Sequence, residues 1–419
     1  MNAFSQPKLL QNRHDYLLTF GLLLLITTFS LTHAYQDFLK LKTFTWQEAK
    51  FTVVKQEHKV KKNYTYDQLE LKNSDLHFYT HIKHPLKELR GRVVTLVFLT
   101  NNITFKNFLT SFFTYSKLLE VSRSKTQRFH LIDKIHELHE SAQIANLYAA
   151  LFWVEPIDPK LRDKLSALGI NHLAALSGFH LGFLALILVF CLNLFIKPIQ
   201  RRFYPHIHRR RFIMILTLLI LFTYVWFLDF TPSLVRAYIM MVLGFFFYDR
   251  GLKVISYELL ILAVLFILAF EPKMLFALGF WFSVFGVLSI FIILKHFEVV
   301  SPLKLTLLIN IGVFLLMLPW SIYVFQTLGY GQLFSPLASL IFMLFYPLVL
   351  VLHLLGVGSI LDPTLQTLFS HEFSMVAVNL DTAYILTYLC MLLLAMRYKI
   401  VLHLTFLFSV ILFTTSVMA

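Results

Sequence analysis

The chain has 419 residues, of which 58% are hydrophobic and 14% charged, and its formal charge is +14. A soluble domain averages about 25% charged residues, so this composition excludes an ordinary soluble protein. The two cysteines, Cys191 and Cys390, lie in apolar runs, which excludes a disulfide framework or a CxxC metal site.

Long apolar runs predict about ten membrane helices, because a helix needs roughly 20 mostly apolar residues to cross a bilayer. Lys8 and Arg13 precede the first run, and a cluster of arginines at 201–211 follows the second, so both predict the same cytoplasmic side. The predicted spans are 17–35, 172–196, 212–230, 233–248, 256–270, 275–294, 305–325, 333–355, 383–396 and 401–417.

The C-terminal runs are less regular. The run at 383–396 is short, and by the count of spans Arg397 and Lys399 face outward. Residues 365–379 are typical of an amphipathic helix that lies in the membrane interface.

Residues 37–165 differ from the rest, with 21 Lys and Arg against 14 Asp and Glu. The segments 50–55, 76–82 and 92–99 are rich in β-branched and aromatic residues, which predicts strands of a small barrel or sandwich. Residues 129–153 have helical spacing and predict one helix. The positive charge indicates either membrane topology or a polyanionic partner.

The first polar cluster in the membrane region is 174–182, where Ser177, Gly178 and Gly182 surround His180. Small residues allow two helices to approach closely, so a packing face is one interpretation. The other is a functional site, since polar residues in membrane spans are costly. Ser177 and His180 lie three residues apart and can meet as a catalytic pair, although no carboxylate is close in sequence.

The second cluster is 231–237. An uncompensated arginine at membrane depth costs at least ~2.5 kcal/mol, so Arg236 needs a partner or a watery cavity. Asp229 is the structural candidate for that partner. The functional interpretation is an anion-facing Arg236 beside a helix broken at Pro232.

The third cluster contains Gly279, Ser283 and Gly286 on one helix face, which indicates either a close helix contact or a pore lining. None of the clusters is a nucleotide or metal motif, so no cofactor or metal is predicted.

Together, in this order, the clusters resemble the signatures of the ComEC family of bacterial competence proteins. The first signature is matched by Gly169-Ile-Asn-His-Leu-Ala-Ala-Leu-Ser-Gly-Phe-His180 and the second by Pro232-Ser-Leu-Val-Arg-Ala237. The third resembles Pro272 followed by Gly279-Phe-Trp-Phe-Ser283. A later Ser335-Pro-Leu-Ala-Ser339 is similar to the last membrane motif, with Ser where the family usually has Asn. The resemblance covers roughly residues 37–350.

The resemblance implies an α-helical polytopic membrane protein with an inserted small extracytoplasmic β-domain of OB-like fold. The family conducts one strand of incoming DNA across the bacterial cytoplasmic (inner) membrane and is not expected to be an enzyme in this region. Many members also carry a C-terminal metallo-β-lactamase-like domain, which is not expected here because Ala419 ends a hydrophobic run. The expected units are 1–36 (cytoplasmic N-terminus and first helix), 37–125 (OB-like domain), 126–170 (helical connector), 171–356 (competence-type transmembrane core) and 357–419 (C-terminal membrane segments).

The resemblance implies a DNA path through the membrane core, formed by Ser177, Gly178, His180, Ser233, Arg236, Phe280 and Ser283. OB domains bind single strands by combining a basic groove with aromatic platforms. Five residues interleave charge and rings in this manner, although a solvated basic face is the alternative: Lys59, Lys61, Lys62, Tyr64 and Tyr66.

The leading prediction is an inner-membrane channel for single-stranded DNA in natural transformation. Its expected partners are single-stranded DNA, a periplasmic DNA receptor and a cytoplasmic motor helicase, because the chain has no ATP-binding motif. Whether one chain or a homodimer forms the pore stays open. The competing predictions are a transporter for a small anion or lipid that binds at Arg236, and an enzyme that uses Ser177 and His180.

Overall fold

The computed structural model describes residues 12–418 except 62–63, 74, 83–86, 204–205, 207, 253, 298–299 and 372. Lys8 and Lys62 therefore lie outside the described residues. The strands are β1 (Trp46–Lys61), β2 (Tyr64–Lys72), β3 (His77–Ile82), β4 (Arg92–Leu99), β5 (Phe112–Phe113), β6 (Ser116–Lys125), β7 (Thr327–Leu328) and β8 (Val376–Ala377).

The helices of the first half are α1 (Arg13–Lys42), α2 (Phe105–Leu109), α3 (Gln127–Leu138), α4 (Ala142–Trp153), α5 (Pro159–Ala167), α6 (Asn171–Ala174), α7 (Gly178–Phe203) and α8 (Arg209–Phe227). Those of the second half are α9 (Pro232–Asp249), α10 (Tyr257–Phe270), α11 (Leu278–His296), α12 (Pro302–Phe325), α13 (Ser335–Leu354), α14 (Asp362–Ser370), α15 (Thr382–Ala395) and α16 (Lys399–Met418).

Strands β1 to β6 form one sheet in the order β5-β3-β2-β1-β4-β6. The first and last strands of this order, β5 and β6, are separated along the chain only by Thr114 and Tyr115. Thr114 N–H donates to the Tyr79 carbonyl on β3, and Leu99 N–H on β4 donates to the Tyr115 carbonyl. The sheet therefore closes on itself as a barrel.

The barrel is filled by alternate residues of its strands, as a two-residue period requires. Phe51, Phe78 and Phe98 are buried and meet with centroid separations of 4.9, 5.6 and 5.2 Å. Leu69 and Leu71 pack beside them, fully buried. Burial of each such side chain stabilises the fold by about 1.5–3 kcal/mol, so this domain has a core of its own.

Seven described helices are long and apolar enough to cross a membrane: α1, α7, α8, α11, α12, the helix ending at Leu354 and α16. The helices α10 and α15 are apolar but have 14 residues each. Only 6–28% of the apolar stretch of each of these seven helices is buried inside the protein, as expected for surfaces that face lipid. The chain is therefore a multi-pass membrane protein.

The bundle has two ends, which contacts with the barrel distinguish. At the end called here the domain face, Lys273 after α10 donates a 3.0 Å hydrogen bond to the Asp75 carbonyl of the barrel. At the opposite end, called here the far face, Arg211 of α8 pairs with Asp249 of α9 at 2.8 Å. Since successive helices run in opposite directions, α7, α9, α11 and α13 all begin at the domain face.

The C-terminal part differs from the predicted threading. β7 precedes α13 and β8 follows α14, yet the two strands pair. The segment between them therefore begins and ends at the domain face, and α13 with α14 is called here the re-entrant hairpin, although α13 is itself long and apolar enough to cross a membrane.

Because the chain is back at the domain face before α15, the turn between α15 and α16 lies at the far face. Lys295 donates a 2.8 Å hydrogen bond to the Met396 carbonyl, and Lys399 lies 4.6 Å from the ring centre of Phe297. Arg397 and Lys399 thus lie at the far face with the arginines of 201–211, whereas the count of spans predicts the opposite side.

The region predicted as one helix, 129–153, is two. Helix α3 ends at Leu138 and α4 begins at Ala142, because His139 between them is extended and turned into the core. Its Nδ1 lies 2.9 Å from a carboxylate oxygen of Asp362, and its Nε2 lies 3.1 Å from Nε2 of His353. These contacts fix α3 and α4 against the re-entrant hairpin.

Candidate functional site

The four family-like motifs converge at the domain face, where four helices begin. The first motif ends in the first turn of α7, the second forms the first turns of α9, the third opens α11 and the fourth opens α13. Two boundaries differ from the predictions. Residues 172–177 form α6 and a turn ahead of α7, and Pro232 begins α9 instead of interrupting a helix.

The first and second motifs are in direct contact. A Cβ added at Gly178 would lie 3.4 Å from the Cβ of Ala237. Gly178 therefore serves the close helix approach that a small residue permits. Gly182, one turn further along α7, has nothing within 4 Å of an added Cβ, so the contact is confined to the start of the helix.

The first and fourth motifs are joined at Gly169, whose φ of +68° lies in the left-handed region. Its carbonyl accepts a 2.9 Å hydrogen bond from the Ser335 hydroxyl. A Cβ at Gly169 would lie 3.2 Å from the Cα of Gln332 and from the Cβ of Ser335. Glycine is required here both by backbone conformation and by this close approach.

Ser177 and His180 meet, as their spacing predicts. His180 Nδ1 accepts from the Ser177 backbone N–H at 3.1 Å and lies 3.0 Å from its hydroxyl. Since a backbone N–H can only donate, Nδ1 carries no proton and the neutral ring carries it on Nε2. That Nε2 is buried among Phe342 and Tyr346 and has no hydrogen-bond partner within the described residues. The position that an orienting carboxylate of a catalytic pair would take is therefore not filled by one.

Arg236 is 8% exposed, on the first turns of α9. Its guanidinium lies 3.9 Å from where a Cβ at Gly279 would be, and 6.0 Å from the centre of the Phe280 ring. No acceptor within the described chain bonds to it, and its Nε is both buried and unpaired. The second and third motifs thus share one buried cation, which has no acidic partner among the described residues.

The predicted structural partner of Arg236 is wrong. Asp229 accepts instead a 2.8 Å hydrogen bond from Arg128, a residue that the sequence does not single out. Sequence reasoning missed Arg128 as the partner of Asp229, because 101 residues separate the pair and no local pattern marks it.

The remaining predicted path residues make fewer polar contacts. Phe280 is fully buried against the Arg236 side chain. Ser233 and Ser283 are half-buried, with no side-chain hydrogen bond among the described residues. Gly286 has nothing within 4 Å of an added Cβ, so this stripe is not a close helix contact along its length.

On the barrel, Lys59 of β1 lies directly opposite Tyr66 of β2, and Lys61 lies opposite Tyr64. Pairing places Lys59 and Tyr66 on one face of the sheet. The Lys59 ammonium lies 3.4 Å from the Glu57 carboxylate, so part of its charge is already paired.

The face of the barrel that carries Lys59 and Tyr66 approaches the membrane helices at the Lys72 end of β2. Burial lowers the pKa of Lys72, an effect that the nearby Asp229 carboxylate opposes and the Arg128 guanidinium reinforces. Burial likewise raises the pKa of Tyr79, with a further contribution from the Glu70 carboxylate. The outer surfaces of β2 and β3 therefore lead to the start of the membrane core.

These features define a polytopic membrane protein whose polar motifs meet under a barrel at one face of the helical bundle. The family model described as competence protein matches residues 154–418, and the chain belongs to that family. The family acts in DNA uptake during competence. The match reaches further toward the C-terminus than the sequence resemblance and does not include the barrel. No curated protein and no solved structure matches the chain.

Proposed function

We propose that this protein conducts a single strand of DNA across the bacterial cytoplasmic membrane, with the far face in the cytoplasm. The observation that carries the proposal is Arg236, a buried cation where the competence motifs meet, without an acidic partner in the part of the chain that the structure describes. Holding such a charge among helices is unfavourable unless an anion compensates it. A phosphate of a passing strand supplies that anion once per nucleotide.

The neighbours of Arg236 support a path for anions. His180 has a buried Nε2–H without a hydrogen-bond partner among the described residues, and Gly178 joins its helix to that of Arg236. His180 and Arg236 both belong to helices that begin at this face, where the partial positive charge of the helix dipole lies. The cluster thus combines hydrogen-bond donors and positive potential.

The orientation follows from the distribution of basic residues. Cytoplasmic loops of membrane proteins are enriched in Lys and Arg. The far face collects the arginines of 201–211 together with Arg250, Lys295, Arg397 and Lys399. The N-terminus then lies in the cytoplasm and the barrel outside, in contact with incoming DNA.

We further propose that the barrel is an OB-like domain. Its first three strands form an antiparallel meander, β5 lies parallel to β3, and β6 closes the barrel on β4. Small closed barrels of this kind bind oligonucleotides on their strand face. A receptor that delivers DNA and a cytoplasmic motor that pulls it are the partners that such a conductor needs.

The test replaces Arg236 in a transformable strain that lacks its own copy of the protein. We expect Arg236→Ala to keep near-normal abundance and membrane insertion while transformation and cytoplasmic entry of fluorescent DNA fall severely. Arg236→Lys keeps the charge but loses the planar fork that grips phosphate at two points, so partial function is expected. Arg250→Ala, at the exposed end of the same helix, is the matched control. Wild-type transformation by Arg236→Ala at wild-type abundance would refute the proposal.

A further inference from the structure

A row of aromatic rings crosses the outer surface of the barrel. Tyr66 of β2 lies 4.4 Å from His81 of β3, between ring centres, and His81 lies 4.6 Å from Phe113 of β5. Phe113 in turn lies 5.4 Å from Tyr115. The four rings come from three separate segments, β2, β3 and the stretch from Phe113 to Tyr115, which strand pairing brings together.

These rings do not belong to the barrel core. Their chain neighbours point inward, since Asp67, Thr80, Phe112 and Thr114 are buried. The row itself lies on the opposite side of the sheet, where Phe113 is 44% and Tyr115 62% exposed. Large rings held side by side in water indicate a surface that is covered by a ligand.

The surroundings of the row are basic. Residues 37–125 contain 16 Lys and Arg against 8 Asp and Glu. Lys59 lies beside Tyr66 in the adjacent strand, and Lys117 is exposed two residues after Tyr115. A ligand that combines flat apolar faces with negative charge fits this arrangement.

We propose that Tyr66, His81, Phe113 and Tyr115 form a base-stacking site for single-stranded DNA. The inference rests on the proposed function and adds to it the place where the strand is first held. Bases of a single strand are free to stack on protein rings, whereas those of a duplex are stacked on each other. The flanking lysines, Lys59 and Lys117, would then contact the phosphates.

The position of the row gives the bound strand a direction. Tyr66 lies six residues from Lys72 along β2, about 20 Å on an extended strand. Phe113 is in register with Tyr79, whose pKa is also influenced by the charge of Arg162 on α5. The row therefore descends from the outer end of β2 toward the helices that carry the first motif.

The experiment measures binding of a labelled oligothymidylate to the full-length protein in detergent by fluorescence anisotropy. Stacking of a base on an aromatic side chain changes affinity by roughly 5- to 150-fold per ring. We expect Phe113→Ala and Tyr115→Ala each to weaken binding by about tenfold, while Tyr115→Phe, which keeps the ring, stays near wild type. Trp46→Ala removes an exposed ring outside the row and is the matched control, expected within about twofold of wild type.

An abasic oligonucleotide of the same length separates stacking from phosphate contact. Wild-type protein should bind it at least as weakly as Phe113→Ala binds oligothymidylate, because every stacking contact is lost, and Phe113→Ala should bind it no more weakly than wild type does. Equal losses on both probes, or undiminished binding by both alanine variants, would overturn the inference. So would loss of binding to anionic phospholipid vesicles with unchanged oligonucleotide binding, since the row would then contact lipid. The row is tested by oligonucleotide binding of Phe113→Ala and Tyr115→Ala, and the conduction path by transformation of Arg236→Ala, so failure of the row and failure of the path give different results.

Discussion

The Arg128 guanidinium donates a 2.8 Å hydrogen bond to the Asp229 carboxylate and also donates to the carbonyls of Trp153 and Val154. Both Val154 and Asp229 have a left-handed backbone, with φ of 57° and 54°. One side chain thus holds two unusual turns together, just ahead of the Pro232 that begins α9.

Arg128→Ala should lower stability much more than Asp229→Ala. The Arg128 side chain is 10% exposed and satisfies two carbonyls, whereas that of Asp229 is 65% exposed. Each lost charge-assisted hydrogen bond costs about 1.5–3 kcal/mol, while an exposed ion pair contributes about 0–1 kcal/mol. Thermal unfolding of the purified variants checks this, with Arg123→Ala on exposed β6 as control. Equal destabilisation by the two substitutions would contradict the carbonyl contacts as the main contribution.

Gly169→Ala should impair folding and transformation more than Gly251→Ala. Both glycines have φ of +68°, so the left-handed backbone costs each alanine about the same 1–2 kcal/mol. Only Gly169 has close neighbours, the backbone of Gln332 and the side chain of Ser335 at 3.2 Å, whereas Gly251 has none within 4 Å. The difference in abundance and melting temperature therefore measures the contact between the first and fourth motifs. Indistinguishable variants would show that this contact is loose.

Asp362→Ala should be strongly destabilising. The carboxylate is 7% exposed and accepts from His139, whose side chain is fully buried. Removing one member of a buried pair costs about 3–5 kcal/mol because the other keeps its desolvation penalty. Asp381→Ala, at an exposed position before α15, is the control. Protease resistance of the membrane-inserted protein reports the loss, and unchanged resistance would argue against a role of this pair in fixing the hairpin.

Reporter fusions at Arg397 and Arg202 should report the same compartment, and a fusion at Lys125 the opposite one. The reason is the shared far face, set by the contact of Lys295 with Met396 and by the pairing of β7 with β8. Alkaline phosphatase and green fluorescent protein fusions distinguish the sides. Opposite readings at Arg397 and Arg202 would show that the segment between β7 and β8 does not return to the domain face.

Much of this arrangement is readable from sequence, because local periodicity decides which segments are strands and which are apolar helices. The motifs likewise mark their own meeting place, since polar and ionisable residues are rare in membrane helices. Hydropathy cannot show that the chain returns to the domain face after α13, because it measures the length of apolar segments and not the path of the chain between them. The pair of Arg128 with Asp229 and the row from Tyr66 to Tyr115 join distant segments, so only three-dimensional packing brings them together.

The pairing of β7 with β8 affects the number of times the chain crosses the membrane. The segment between β7 and β8 begins and ends on the same side of the membrane, so it adds no net crossing. A movement of this segment therefore leaves the orientation of every other helix unchanged. Phe342 and Tyr346, which cover the His180 ring, both belong to that segment. The covering of His180 is thus carried by a piece of chain whose movement leaves every neighbouring span on its own side.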